Sequence, residues 1–227
     1  MYNDVIAPGN WATFDTATVN PGASGFVGAA FDGRYVYLVP SYNGTLNGIA
    51  ARFDTQASFS AATSWSTFDT ATVNAAARGF NGVVFDGRYW YFVPHENLQV
   101  YSGTVARFDT QAVFDNAASW SMFDVATVSA SARGFFGATF DGRYIYFSPY
   151  AGSQVARFDT QQPFTLAASW STFSLTALLT DVSAYPGTIF DGRYVYFGPY
   201  VTSTVARFDA KRPPSLPMLP AHFGSFL

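Results

Sequence analysis

Short apolar runs follow one another along the chain, and turns that contain Gly, Asp or Pro separate them. The most regular case is the pentapeptide Phe-Asp-Gly-Arg-Tyr, which stands between two apolar runs at residues 31–35, 85–89, 140–144 and 190–194. An Asp-Gly pair between apolar runs favours a β-hairpin whose two central turn residues both take positive φ. The pattern therefore predicts four hairpins in an all-β fold.

Two further motifs repeat in step with the hairpins. Trp-x-x-Phe begins at Trp11, Trp65, Trp120 and Trp170, and Ala-Arg-Phe-Asp contains Arg52, Arg107, Arg157 and Arg207. The phenylalanines that open the hairpins, at positions 31, 85, 140 and 190, are 54, 55 and 50 residues apart. Repetition at about this period in β-like sequence predicts a propeller, in which each blade is a four-stranded sheet.

Each repeat contains four strand-like runs, which we name a to d: a Gly-rich run, the run after Phe-Asp-Gly-Arg-Tyr, the Ala-Arg-Phe-Asp run and the Trp run. The fourth repeat ends after run c, at Asp209, while residues 11–14 form a run d that no blade precedes. We therefore expect one four-bladed propeller over residues 1–209, closed by the N-terminal strand, which would cover the open edge of the last blade. The alternative is that two chains form one larger ring. The predicted blades are residues 25–69, 79–124, 134–174, and 184–209 together with 11–15, and residues 210–227 form a Pro-rich tail.

The repeats and their number resemble the β-propeller superfamily. Four blades of about 50 residues resemble a hemopexin-like domain in size, and the FDGRYVYF-type repeat resembles that of uncharacterised bacterial repeat proteins. The hemopexin resemblance implies a binding domain with room for a structural ion in the central channel, and it transfers no residue-level site. No other cofactor is expected. The chain has no cysteine, so the internal disulfide usual in hemopexin is impossible here.

Composition narrows the possible partners. A net charge of -3 and the lack of a basic run argue against a nucleic-acid partner. No apolar run reaches spanning length, so we expect no membrane partner and a soluble chain. The first residues lack the basic and apolar regions of a signal peptide, although a leader that had been removed would leave no trace, so secretion stays open.

The candidate binding site lies where the repeats differ. In a propeller blade the d→a and b→c loops share one face, and the b→c loops vary in length and composition here, whereas the c→d links are nearly identical. His95 and the chain's single glutamate, Glu96, depart most from the repeat. Asn81 and Asn97 complete a possible rim. The predicted ligand-binding residues are Tyr42, Arg78, His95, Glu96, Arg133, Tyr150, Tyr185 and Tyr200.

These residue types favour a non-catalytic module that binds a glycan or another small polar ligand, because aromatic rings stack on a sugar while polar groups contact its hydroxyls. The alternative is that the predicted ligand-binding residues are ordinary solvated loop residues with no binding role. No nucleophile elbow, phosphate loop, zincin motif or dinucleotide fingerprint occurs, and no catalytic residue is assigned.

Two other functions stay open. A polysaccharide lyase or hydrolase that acts on an acidic glycan could use an arginine to neutralise a uronate and a His or Tyr to remove a proton. Its candidates are His95, Glu96, Arg78, Arg133 and Tyr150. A structural or protein-interaction propeller could instead dock a protein through the proline-rich tail.

The repeated charged residues have a structural interpretation. Asp32 and its equivalents are predicted turn residues. Arg52 stands two residues before Asp54 on the same face of run c, so we expect an ion pair within or between blades.

Overall fold

The structure is a computed structural model, and it describes residues 5–97, 100–179 and 184–211. Within them the chain forms antiparallel strands joined by tight turns and short 3-10 segments. None of these residues belongs to a helix with the length and apolar character needed to cross a bilayer. The predicted tail lies outside the described residues from position 212 onward.

The strands group into blades in chain order. Blade one contains β1 (Phe26–Phe31), β2 (Tyr35–Pro40), β3 (Ile49–Asp54) and β4 (Trp65–Asp69). Blade two contains β5 (Phe80–Phe85), β6 (Tyr89–Pro94), β9 (Thr104–Asp109) and β10 (Trp120–Asp124), with a small hairpin of β7 (Glu96–Asn97) and β8 (Val100–Tyr101) between β6 and β9. Blade three contains β11 (Phe135–Phe140), β12 (Tyr144–Pro149), β13 (Gln154–Asp159) and β14 (Trp170–Ser174). Blade four contains β15 (Gly187–Phe190), β16 (Tyr194–Gly198) and β17 (Ala206–Asp209).

Short 3-10 turns stand before and after the Trp runs. They are Pro8–Asn10, Thr16–Thr18, Ala62–Ser64, Thr70–Thr72, Ala117–Ser119, Val125–Thr127, Ala167–Ser169 and Leu175–Ala177.

Each of the four sheets is an antiparallel meander. Blades one to three pair in the order a-b-c-d, and blade four pairs in the order a-b-c within the described residues. The predicted all-β, four-bladed, propeller-like fold is confirmed.

The hairpin turn differs by one residue from the predicted one. Phe31 pairs with Val36, and the Asp32 N–H donates to the Tyr35 carbonyl, so Gly33 and Arg34 are the central residues. Only the glycine takes positive φ, at 104°, as suits a glycine at the first central position. Asp32 instead stands at the edge of the turn, where its carboxylate holds the turn together.

That carboxylate makes the same three hydrogen bonds in every blade. In blade two, Asp86 Oδ1 accepts from the backbone N–H groups of Arg88 and Tyr89, and Oδ2 accepts from the hydroxyl of Tyr91 at 2.7 Å. Tyr91 is only 1% exposed. The carboxylate therefore stabilises the turn and also satisfies a buried hydroxyl, which otherwise would be costly to desolvate. The equivalent pairs are Asp32 with Tyr37, Asp141 with Tyr146, and Asp191 with Tyr196.

The predicted ion pair of Arg52 is corrected. Asp54 is paired in a bidentate manner by Arg34, at 2.7 and 3.3 Å, because Arg34 directly precedes Tyr35, the register partner of Asp54. Arg52 lies over the ring of Tyr35 at 4.1 Å and over Phe114 of blade two at 4.8 Å. It therefore acts through cation–π contacts, one of which joins two blades.

Stacking between d strands is one of the contacts that join neighbouring blades. Phe68 of blade one stacks on Trp120 of blade two with centroids 4.9 Å apart, and Phe123 stacks on Trp170 of blade three at 4.8 Å. Phe108, on strand c of blade two, also packs on Trp120 at 4.9 Å. Trp120 and Trp170 are thus each enclosed between their own blade and the d strand of the preceding blade.

The inner strands also approach closely between blades two and three and between blades three and four. A Cβ on Gly82 would lie 3.0 Å from the Phe136 carbonyl oxygen of blade three, and one on Gly137 would lie 2.6 Å from the Pro186 oxygen of blade four. Gly187 has no such neighbour within 4 Å. Val27 of blade one and Ile189 of blade four are 51% and 66% exposed, so both ends of the series present apolar side chains to solvent.

The predicted closure by the N-terminal strand is not formed in the structure. Among the described residues, 11–15 are extended but belong to no sheet, and β17 pairs with a strand on one side only. Phe14 stacks on Trp65 of blade one, with centroids 4.6 Å apart and planes 4° apart. The segment therefore packs against blade one as a preceding d strand would, without a strand c beside it.

We expect stability to fall at alkaline pH because of the buried tyrosines. Burial, followed by the charge and hydrogen bond of Asp86, raises the pKa of Tyr91, and Tyr37 and Tyr146 are raised for related reasons. A raised folded-state pKa contributes stability that is present below the unfolded pKa of about 10 and is lost as pH rises from there toward the folded value.

Melting temperatures measured from about pH 8 to pH 11.5 check this. Tyr91→Phe should be less stable at pH 8 by about 1–2 kcal/mol, for one lost hydrogen bond, and its melting temperature should decline less steeply above pH 10. Tyr101→Phe is the control, because Tyr101 is exposed and is not one of the tyrosines that donate to a turn aspartate. An equal decline in Tyr91→Phe and the unmodified protein would contradict the interpretation.

Candidate functional site

The d→a and b→c loops meet at one residue per blade that has positive φ. Gly79 has φ of 64°, and its carbonyl oxygen accepts from the N–H groups of His95 and Glu96 at 3.1 and 3.2 Å. A Cβ on Gly79 would collide with the Glu96 carbonyl, so glycine is required there. Gly25, Gly134 and Ala184 occupy the equivalent positions, with φ of 67°, 66° and 39°. This turn fixes the start of every b→c loop beside the entry to strand a.

His95 lies at the boundary between blades two and three, surrounded by aromatic rings. Its ring centroid is 5.0 Å from that of Tyr150, 5.7 Å from that of Tyr101 and 5.8 Å from that of Phe136, all in edge-to-face contact. Phe136 and Tyr150 are themselves 5.2 Å apart. We call these four residues the His95 cluster. It is the group of predicted site residues that the structure brings together most closely.

The imidazole of His95 is held in one tautomer. Its Nδ1 lies 3.2 Å from the carbonyl oxygen of Phe135, and because a carbonyl can only accept, Nδ1 carries the proton. Burial lowers the pKa of His95, and the Phe135 hydrogen bond and the Glu96 charge act in the opposite direction with smaller effect. The ring is therefore neutral at pH 7, with Nε2 as an acceptor.

Tyr101 belongs to the cluster although the sequence did not single it out. Glu96 pairs with Tyr101 across the β7–β8 hairpin, and the Tyr101 ring lies against the backbone of Gly134 in blade three. It stays 44% exposed. The signal in the sequence was the length of this b→c loop, which leaves room for the β7–β8 hairpin; the loop of blade one, by comparison, has a single antiparallel bridge between Tyr42 and Leu46.

Each of the two predicted arginines directly precedes a glycine that anchors a loop of the cluster. Arg133 precedes Gly134, and the Gly134 carbonyl accepts from the N–H of Tyr150 at 2.9 Å. The Nε of Arg133 donates to the Ala130 carbonyl at 3.1 Å. Arg78 precedes Gly79 in the same way. Its buried Nε has no hydrogen-bond acceptor among the residues that the structure describes.

The remaining predicted residues are dispersed. Tyr42 in blade one and Tyr200 in blade four are 60% and 70% exposed. Tyr185 is fully buried and donates its hydroxyl to the Thr204 carbonyl at 2.9 Å, so it is a core residue of blade four and not a rim residue. Asn81 is half-buried at the start of blade two. The side chain of Asn97 lies outside the described residues.

The chemistry of the cluster is that of a recognition surface. It offers apolar ring edges, the hydroxyls of Tyr101 and Tyr150, the Nε2 acceptor of His95 and the Glu96 carboxylate. In the described part of the chain no three His, Cys, Asp or Glu side chains come together in a way that could hold a metal ion. The structural ion expected in a central channel stays a prediction.

Among known proteins, only solved structures match this chain. No family model and no curated protein matches the sequence. A putative 6-phosphogluconolactonase from Bacteroides uniformis is 20% identical over 82% of this chain and 53% of its own, with a TM-score of 0.47. Streptogramin B lyase is 10% identical over 84% and 72%, with a TM-score of 0.42.

The Hsv2 protein of Kluyveromyces lactis is 10% identical over 77% of this chain and 45% of its own, with a TM-score of 0.43. The chain thus spans about half the length of this protein and of the Bacteroides protein. The fold assignment rests on the strand order of the chain itself.

We expect His95 to titrate below the usual histidine value of about 6.5. A depressed folded-state pKa contributes stability that is present above the unfolded value and is lost as pH falls through the folded one. Proton NMR of the two histidine rings between about pH 4 and pH 8 measures the midpoint, and His95→Gln assigns the signal. A His95 midpoint at or above 6.5 would show that burial is not the dominant influence.

Proposed function

We propose that the protein is a non-catalytic binding module that recognises a glycan, or another small polar ligand with an apolar face, at the His95 cluster. The observation that carries the proposal is the edge-to-face contact of His95 with Tyr101 of its own loop and, across the blade boundary, with Phe136 and Tyr150. These side chains come from two blades and two loops, and they depart from the repeat. Residues that serve only the fold recur in each blade, as Asp86 and Tyr91 do.

Ring contacts support recognition of a sugar. Tyr101 is partly exposed, and Tyr150 is half-buried beside it, so the cluster presents ring surface without being sealed in the core. Stacking on such rings suits the C–H face of a pyranose, and the surrounding polar groups can bind its hydroxyls. Because the rings pack on each other and on the imidazole, little side-chain entropy remains to be lost on binding.

Polar groups around the cluster suit hydroxyls and a single carboxylate. His95 Nε2 accepts, the tyrosine hydroxyls donate or accept, and Glu96 accepts. Arg133 and Arg78 precede the two glycines that anchor the cluster, so each places positive charge beside a loop that forms it. The ligand class proposed is therefore a neutral or acidic sugar.

A second candidate is a lyase or hydrolase that acts on an acidic glycan, and one observation favours it. The neutral imidazole with Nδ1 bound to Phe135 leaves Nε2 able to take a proton at neutral pH, which is the state a general base requires. The arginines would neutralise the uronate carboxylate, and Tyr150 and Glu96 remain candidates beside them.

The resemblance to two particular groups of proteins is also part of the proposal. Four blades agree in number with hemopexin-like domains, and the FDGRYVYF-type repeat agrees with uncharacterised bacterial repeat proteins. A lectin-like role follows from the first likeness and from the cluster together. Docking of a protein through residues 210–227 stays a further proposal, and most of that tail lies outside the described residues.

We expect Tyr150→Ala to weaken binding of a glycan found by array screening about tenfold or more, since one stacked ring is worth about 1.4 kcal/mol or more. His95→Gln should weaken binding to a similar degree. The control is Val113→Ser, which alters an exposed side chain on a c→d link at the opposite face. Titration calorimetry measures the affinity of each variant, and melting curves of the same samples check that each variant is folded. Unchanged affinity in both cluster variants would move the site elsewhere.

Incubation with uronate polymers separates binding from catalysis. The binding proposal expects no unsaturated product by ultraviolet absorbance and no new reducing ends. The enzymatic candidate expects product formation that falls about a hundredfold or more in His95→Gln with little change in substrate affinity. Turnover that depends on His95 would replace the binding proposal with the enzymatic one.

A further inference from the structure

An apolar groove of about 360 Å³ lies between blades three and four, on the side of the molecule where a fourth strand of blade four would lie. Phe173 of β14 and Phe208 of β17 form its two walls, and Val155 and Leu175 contribute to its lining. Phe173 and Phe208 are 49% and 42% exposed, whereas their equivalents in blade two, Phe123 and Phe108, are 8% and 0% exposed.

The same place is filled by tryptophan at the other blade boundaries. Trp120 lies between Phe68 and Phe108, and Trp170 lies between Phe123 and Phe158, with centroid distances of 4.7 to 4.9 Å. The groove is therefore the next member of a series of established blade interfaces. Among the described residues, no tryptophan lines the groove.

The N-terminal segment has the conformation of a d strand that lacks a partner. Trp11 Nε1 donates to the Val5 carbonyl six residues earlier, as Trp120 Nε1 donates to Phe114 and Trp170 Nε1 to Phe164. The backbone angles of Trp11 are -111° and 144°, against -113° and 143° at Trp120. Asp15 caps the following turn through Ala17, as Asp69 and Asp124 do in their blades.

This preformed strand leaves its tryptophan in solvent. Trp11 is 66% exposed, whereas Trp120 and Trp170 are 4% and 5% exposed. The chain thus presents an unfilled tryptophan site at one end and an uncovered tryptophan strand at the other. Their sequences agree as well, since Trp-Ala-Thr-Phe at residues 11–14 differs from Trp-Ser-Thr-Phe at 170–173 by one small residue.

We propose that the groove binds residues 5–15 of a second copy of this chain, which adds the missing fourth strand to blade four. Trp11 of the second copy enters between Phe173 and Phe208, and the backbone pairs with the open edge of β17 as in β-strand addition. Two copies that exchange strands head to tail close a ring of eight blades, within the range of four to eight that propellers adopt.

The chain's own N-terminal segment does not line the groove. Phe14 is stacked on Trp65, so residues 11–15 are fixed at the blade-one end. At the other end, Ile189 on the inner strand of blade four is 66% exposed, so among the described residues no further blade covers that strand. Strand donation between copies fills the groove and covers the exposed apolar side chains at both ends.

The internal repeat also specifies the register of the donated strand. In blade one, β3 and β4 pair Phe53 with Trp65 and Arg52 with Ser66, and blades two and three use the same register. By equivalence, Phe208 pairs with Trp11, and Arg207 pairs with Ala12. Both Ala12 and Arg207 are exposed, and the chain contains no cysteine.

The register makes a direct crosslinking test available. We expect the double variant Ala12→Cys, Arg207→Cys, oxidised at micromolar concentration, to form a covalent dimer of twice 24.7 kDa on a non-reducing gel. Ala12→Cys, Ser66→Cys is the matched control, because Ser66 occupies a strand that is already paired. A crosslinked monomer would show that the chain's own strand closes a four-bladed ring, and no crosslink would show that the groove is empty. Either result overturns the proposal.

Complementation gives a second test in the protein without cysteines. We expect the unmodified chain to sediment as a dimer, and Trp11→Ala and Phe173→Asp each to sediment as a folded monomer, since both side chains are exposed in the separate chain. A mixture of the two variants should form a heterodimer through one intact groove and one intact strand. Val113→Ser is the control and should stay dimeric. A monomeric unmodified chain, or variants that dimerise as well as it does, would contradict strand donation.

Discussion

The stacking of a d-strand phenylalanine on the tryptophan of the next blade is the interaction on which the rest of the structure depends. Each blade is apolar on both faces, so no blade can bury its side chains alone. Phe68 on Trp120 and Phe123 on Trp170 join successive blades, and the indole N–H of each tryptophan is satisfied by a carbonyl of its own c→d link. The near identity of those links follows, because they must place the same carbonyl and the same phenylalanine against every indole.

The consequences of this constraint appear at the two ends of the array. Wherever a blade has a neighbour, the tryptophan and the phenylalanines around it are buried. At the ends, Trp11, Phe173 and Phe208 stay exposed because their stacking partners are missing. Exposed apolar surface that matches an interior interface of the same molecule favours association by that interface. The edge of β17 adds backbone hydrogen bonds that a partner strand can satisfy.

The strand order could be predicted from the sequence because hairpin, Ala-Arg-Phe-Asp and Trp motifs recur in phase. Details that depend on side chains could not. The turn residues are Gly33 and Arg34 because the Asp32 carboxylate binds two backbone N–H groups, and the ion pair of Asp54 goes to Arg34 because register places it there. At the candidate site, His95 and Tyr150 were found because they break the repeat. Tyr101 was missed because a two-residue strand carries no periodic signal, and burial of Tyr185 depends on packing that its position in the loop does not reveal.

In the proposed assembly, the outer edge of blade four is covered only when a second copy supplies the strand. Hydrogen exchange of the backbone amides of β17, followed by mass spectrometry at several protein concentrations, measures that cover directly. Protection of residues 205–209 that is strong at high concentration and lost on dilution, while the amides of β9 and β13 stay protected throughout, is the predicted result. Protection of β17 that is the same at every protein concentration would contradict the account, whether that constant protection is strong or weak.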